Sequence, residues 1–132
     1  MADQEIYKKL KETLAGALGV SQDDIHPDAS LVRDLGAESI DFIDIIFRLE
    51  KTFDIKIPSG ELFPGNLLND ERFVKEGRVT AEGIVELKNR LPYMDVETYA
   101  KDPQLSKMGD FFTVQMILNY LNERLPKESK TS

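Results

Sequence analysis

Residues 34–41, DLGAESID, place a serine among acidic side chains, just where a strongly apolar stretch begins. The hydroxyl of Ser39 could cap a helix, because serine is among the residues most favoured at helix starts. It could also be the point at which another group is attached. A phosphate ester on Ser39 would be stabilised by the unpaired N–H groups of the first helical turn and by the positive end of the helix dipole.

Few other side chains suit catalysis. The chain has no cysteine, and His26 is its single histidine, so general acid–base chemistry near neutral pH has one obvious candidate. Ser39 lacks the Gly-x-Ser-x-Gly setting of a hydrolase nucleophile, and no residue in the sequence pairs with His26. The carboxylates do not follow the spacing of a calcium loop. We therefore predict neither a catalytic residue nor a metal site.

The overall charge narrows the class of partner. The chain has 132 residues, with 24 Asp and Glu against 17 Lys and Arg, and a net charge of -7. Such a chain repels phosphate backbones and anionic lipid, which argues against binding to nucleic acid or to a membrane surface. No apolar run is long enough to span a bilayer, and the polar start MADQEIYKKL lacks the apolar core of a signal peptide. We expect a cytoplasmic monomer.

The spacing of the apolar residues predicts a mainly α fold, an antiparallel helical bundle. The predicted helices cover residues 2–18, 39–53, 80–91 and 113–125. The loop at 20–38 has no regular period but keeps Ile25, Leu31 and Leu35, so we expect it to be pinned across the core.

The chain is predicted to form one domain over residues 1–125, followed by a polar, disordered tail at 126–132. Residues 59–110 are an elaborated insertion between the second and last helices. Within the insertion, RFVKEGRVT predicts a short β-hairpin with Glu76 and Gly77 at the bend. From the sequence, the insertion could cover the core, enlarge a pocket or add a docking surface.

Three segments resemble the acyl carrier protein family. Residues 24–58 read Asp-Ile-x-Pro-Asp-Ala-Ser-Leu, then Asp-Leu-Gly-Ala-Glu-Ser-Ile-Asp, then an apolar helix ending Phe-Asp-Ile-Lys-Ile-Pro. The first helix is similar to that of the family, and FFTVQMILNYL is similar to the Thr-Val and Tyr-Leu signature of its last helix. The resemblance covers somewhat more than half of the chain. The insertion at 59–110 departs from the family, which has short loops and a short helix there, and this is typical of a specialised member.

The resemblance implies that Ser39 carries a covalent 4′-phosphopantetheine arm derived from coenzyme A. Asp34, Gly36 and Glu38 would support the attachment site, with Glu38 standing where the family more often has Asp. Acyl intermediates would be held as thioesters on the arm. The protein would not be an enzyme itself. It would be modified by a phosphopantetheinyl transferase, and it would serve acyl-loading, acyl-transfer or synthase enzymes of fatty acid, lipid or polyketide biosynthesis.

Two further sets of candidate residues lie in the helix at 39–53 or directly before it. The resemblance implies that an acidic face docks on basic patches of partner enzymes, although a merely solvated face is the alternative. The docking candidates are Glu38, Asp41, Asp44 and Glu50. The candidates for an acyl pocket are Phe42, Ile43 and Phe47, which could equally belong to the core.

Two other functions remain open on the sequence. The chain could be a peptidyl or aminoacyl carrier for nonribosomal synthesis, although the acidic Leu-Gly-Ala-Glu-Ser-Ile run favours an acyl carrier. It could also be an unmodified helical interaction module that keeps the carrier fold.

Overall fold

The computed structural model describes residues 3–64 and 66–125, and these residues are mainly helical. The helices and strands are α1 Asp3–Leu18, α2 Ser39–Phe53, β1 Val74–Lys75, β2 Arg78–Val79, α3 Ala81–Arg90, α4 Val96–Tyr99 and α5 Val114–Arg124. Short 3-10 helices lie at Gln22–Asp24, Asn66–Asn69 and Leu105–Phe111. The predicted mainly helical fold with a short hairpin is confirmed. The tail predicted at 126–132 lies outside the described residues.

The core forms where α1 packs against α2 and α5. Ile6, Leu10 and Leu14 of α1 recur every four residues, which places them on one face of the helix, and all three are fully buried. Ile45 and Leu49 of α2 are also fully buried. The buried face of α2 does not include Ile40, Ile43 or Phe47, which are exposed although they are apolar.

The loop between α1 and α2 is pinned across the core, as predicted. Ile25, Leu31 and Leu35 are buried, each at most 6% exposed. The Leu31 N–H donates to the Phe112 carbonyl at 2.8 Å, so the loop is joined to the residues that lead into α5. These contacts fix the chain that enters α2.

The insertion packs against the bundle. Its hairpin turns at Glu76 and Gly77, whose φ angles of 52° and 77° are those that a tight two-residue turn requires. Thr80 caps α3 by accepting a hydrogen bond from the Gly83 N–H at 3.1 Å. The apolar side chains that join the hydrophobic core include Leu62, Phe63, Phe73, Val79, Leu87, Leu91 and Tyr99. Covering the core is thus one role of the insertion.

Candidate functional site

Ser39 is the first residue of α2, and its side chain is exposed. The capping position belongs to Glu38, whose extended backbone N–H donates to the Asp41 carboxylate at 2.8 Å. Within the described residues the Ser39 hydroxyl makes no hydrogen bond. Ser39 is therefore not a helix cap, and its hydroxyl is free at the positive end of the helix dipole.

The residues before α2 form a tight, internally bonded loop. The Asp34 carboxylate accepts a hydrogen bond from the Ser30 N–H at 2.8 Å, and this bond lowers the pKa of Asp34. Gly36 has a φ of 76°, in the left-handed region that favours glycine. The Ala37 N–H then donates to the Leu31 carbonyl at 2.8 Å. Asp34 and Gly36 therefore fix the backbone of the loop that leads into α2.

All four acidic docking candidates have partners within the chain. Asp41 accepts the Glu38 N–H, as described above. The Asp44 carboxylate lies 2.9 Å from the Arg48 guanidinium, one helical turn later. Glu50 accepts a hydrogen bond from the Ile57 N–H at 2.8 Å, which ties the chain after α2 back to the helix. Asp41 and Glu50 thus have structural roles, and the exposed Glu38 forms the capping box at the start of α2 together with Asp41.

An open apolar groove of about 610 Å³ runs along α2 from Ser39. We call it the α2 groove. It is lined by Ser39, Phe42, Ile43, Ile46, Phe47, Glu50, Ile57, Ser59, Gly60, Phe63, Pro64, Leu68 and Phe112. The three residues predicted for an acyl pocket, Phe42, Ile43 and Phe47, are brought together here. Ile43 and Phe47 are 61% and 65% exposed, so they form the outer rim, whereas Phe42 is half-buried.

The wall of the groove opposite α2 is formed by the segment after this helix, and a polar cluster holds that segment in place. Tyr120 of α5 is buried and donates to the Glu61 carboxylate at 2.5 Å. Burial raises the pKa of Tyr120, and its hydrogen bond to Glu61 raises it further. Arg124 contacts Glu61 at 2.5 Å and donates to the Lys56 carbonyl at 2.6 Å. This cluster, which we call the α5 latch (Lys56, Glu61, Tyr120, Arg124), joins the chain after α2 to α5.

The described part of the chain gives little support for a metal site, for catalysis by His26 or for a membrane-spanning helix. No group of three or more His, Cys, Asp or Glu side chains there is placed to hold a metal ion. His26 is an exposed loop residue whose carbonyl accepts the Ala29 N–H. No helix within residues 3–64 and 66–125 has the length and apolar character needed to cross a membrane.

Sequence reasoning missed the far side of the groove. Phe63, Leu68 and Phe112 lie well beyond α2 in the chain, and no local pattern connects them with Ser39. The α5 latch was missed for the same reason, because its members are separated by up to 68 residues.

The comparison with protein families supplies one match. A family model described as "phosphopantetheine attachment site" matches residues 8–66, which contain the larger part of α1, the pinned loop, α2 and the start of the insertion. The match supports a carrier-protein family, consistent with the acyl carrier proteins. A domain of this family is the site of covalent 4′-phosphopantetheine attachment. Carrier domains interact with phosphopantetheinyl transferases and synthase enzymes, and they are generally not enzymes themselves.

Proposed function

We propose that this protein is an acyl carrier whose arm is attached to Ser39. The match of residues 8–66 to the model of a phosphopantetheine attachment site supports a carrier protein. The observation that carries this proposal is the free, exposed hydroxyl of Ser39 at the start of α2, next to an apolar groove. The matched segment contains Ser21, Ser30, Ser39 and Ser59. Ser30 is fully buried, and Ser21 accepts the Asp23 N–H, so among these Ser39 and Ser59 have free, exposed side chains.

The residues around Ser39 fit a phosphate ester. The N–H groups of the first turn of α2 face the same end as the hydroxyl, and a phosphodiester would be stabilised there by the helix dipole. The loop residues Asp34 and Gly36 hold Ser39 at the surface, where an enzyme can reach it. When bound, 4′-phosphopantetheine supplies a terminal thiol that holds an acyl group as a thioester.

The α2 groove favours an acyl cargo over a peptidyl or aminoacyl one. Its lining is mostly aliphatic and aromatic, and the carboxylate of Glu50 within it is already bonded to the Ile57 N–H. An apolar chain leaves no polar group unpaired in such a groove, whereas an aminoacyl ammonium group would lose hydration without gaining a partner. We therefore assign Phe42, Ile43 and Phe47 to the cargo site.

Partner enzymes would approach the same end of α2. Asp44 is the docking residue that can be tested most cleanly, because its ion pair with Arg48 is exposed and contributes little to stability. Substitution of Glu38, Asp41 or Glu50 would also disturb the capping box or the bond to Ile57. Charge steering of this kind raises association rates and is screened by salt. We expect Asp44→Lys to slow modification several-fold at low salt, whereas Glu71→Lys, an exposed control in the insertion, should have no effect. Equal rates for both variants would contradict the docking role.

The attachment site is tested by intact mass spectrometry after incubation with coenzyme A and a broad-specificity phosphopantetheinyl transferase. We expect one added phosphopantetheinyl group on the wild-type protein and none on Ser39→Ala. Ser59→Ala is the matched control, since Ser59 is also exposed and also lines the groove, and it should be modified normally. Modification of Ser39→Ala, or an unmodified wild-type protein beside an active transferase control, would overturn the proposal.

A further inference from the structure

Three phenylalanine rings close the floor of the α2 groove. Phe42 comes from α2, Phe63 comes from the insertion, and Phe112 lies two residues before the start of α5. The ring centroids lie 4.8 Å apart for Phe42 and Phe63, 5.7 Å for Phe42 and Phe112, and 5.5 Å for Phe63 and Phe112. The rings meet at 59° to 82°, close to the edge-to-face arrangement that aromatic pairs prefer. We call this set the phenylalanine floor.

The floor separates the groove from the hydrophobic core. Phe63 and Phe112 line the groove, yet they are only 8% and 7% exposed and belong to the core cluster. A chain lying in the groove therefore meets the rings and cannot pass into the bundle unless one of them moves. Interiors packed in this way resist such movement, because a displaced ring must find space in a filled core.

The segment that carries Phe63 is held from outside the groove. Glu61, two residues earlier, is bound by Tyr120 and Arg124 of the α5 latch. Ile57 is bound to Glu50 at the end of α2. The segment that carries Phe63 is thus attached both to α2 and to α5, so its backbone cannot move away from the groove without breaking these bonds.

From this arrangement we propose that the phenylalanine floor limits the length of the acyl cargo and that Phe63 is the residue that determines the limit. The inference rests on the proposed function, because the cargo must be attached through Ser39. Short and medium chains lie within the groove, which follows α2 for about 16 Å at 1.5 Å per residue from Ser39 to Glu50. Longer chains extend into solvent, since the floor bars them from the core.

Thermal unfolding of the loaded protein tests this limit without any enzyme assay. A transferase supplied with butyryl-, octanoyl-, dodecanoyl- or hexadecanoyl-coenzyme A would attach each acyl arm to Ser39, with intact mass confirming each product. Every methylene that enters the groove should raise Tm by up to about 3 °C. We expect Tm to rise from butyryl to octanoyl in the wild-type protein and then to level off.

The variant Phe63→Leu should move this limit to longer chains, so that dodecanoyl gives a higher Tm than octanoyl. Phe73→Leu is the matched control, because Phe73 is also in the insertion and also 8% exposed but does not line the groove. Each variant is compared with its own arm-only form, which removes the effect of the substitution on folding. Leucine is used rather than alanine so that the core stays filled.

The outcomes are distinct. A Tm that levels off at the same chain length in Phe63→Leu as in the wild type would overturn the role of Phe63. A wild-type Tm that continues to rise through hexadecanoyl would show that the floor is no limit and would overturn the inference while the carrier function stands. A wild-type protein that accepts no acyl arm at all would instead overturn the proposed function, and this inference with it.

Discussion

Replacing Arg124 with methionine should loosen the wall of the α2 groove. The substitution keeps most of the aliphatic stem but removes the contact with Glu61 and the hydrogen bonds to the Tyr120 hydroxyl and the Lys56 carbonyl. The Arg124 and Glu61 side chains are 32% and 43% exposed, so the ion pair itself contributes at most about 1 kcal/mol after solvent screening. The hydrogen bond to Lys56 adds roughly 1 kcal/mol. We therefore expect the free energy of unfolding to fall by about 1–2 kcal/mol, or roughly 3–8 °C in Tm.

Circular dichroism during heating measures the loss of stability, and amide hydrogen exchange over residues 55–63 reports whether the wall opens. The control is Arg90→Met, which removes an ion pair between Arg90 and Glu86 at 2.9 Å, one turn apart on α3. Exposed pairs of that kind contribute only about 0.3–0.5 kcal/mol to stability. Equal losses in the two variants, with unchanged exchange at residues 55–63, would refute the reasoning that the α5 latch holds the groove wall.

Three further predictions concern the frame around the site. Gly83→Ala would place a Cβ 2.4 Å from the Phe73 carbonyl oxygen. We therefore expect urea unfolding to show about 1–3 kcal/mol of destabilisation, although alanine has the better helix propensity. A gain in stability would contradict that close approach. The Ser30 N–H lowers the pKa of Asp34 below 3.8, so its contribution to stability is present above pH 3.8 and is lost as the pH falls through the lowered pKa. Asp34→Asn should therefore make urea midpoints less sensitive to acid below pH 3.8, and identical acid profiles would argue against it. Burial raises the pKa of Tyr99 from 10.0 to about 12, so the stability that it contributes is complete below pH 10 and is lost as the pH rises through about 12. Tyr99→Phe should lessen the fall of the urea midpoint over that interval, and an undiminished fall would speak against the burial effect.

The helices and the hairpin could be predicted because their signals are local. Apolar residues at helical spacing mark α1 and α5, and Thr80 marks the start of α3 three residues before the N–H that it caps. Gly77 marks the bend because glycine adopts a positive φ at no steric cost, and Glu76 beside it also has a positive φ in the turn.

The buried face of α2 was harder to predict because of the composition of this helix. Apolar residues occupy most positions of this helix, so periodicity alone does not tell the buried face from the exposed one. The structure buries Ile45 and Leu49 and leaves Ile43 and Phe47 at the rim of the groove. Which side is covered depends on α1 and on the insertion, and neither is encoded in the helix itself.

The position of Ser39 could be predicted, whereas its exact role in the helix could not. A serine at a helix start is equally compatible with a cap and with a free hydroxyl. The hydrogen bond from the Glu38 N–H to Asp41 places the cap one residue earlier, which leaves Ser39 unbonded within the described residues. Phe63 and Phe112 join the site only through long-range packing, so no local pattern around Ser39 could have indicated them.

The most direct measurement is peptide mass spectrometry on the protein purified from its native cells. Trypsin cleaves after Arg33 and Arg48, and the resulting peptide, residues 34–48, contains Ser39 as its only hydroxyl side chain. We predict that a fraction of this peptide carries the mass of one phosphopantetheinyl group, bare or acylated. A peptide that is always unmodified, in cells whose other carrier proteins show the arm, would contradict the assignment of Ser39.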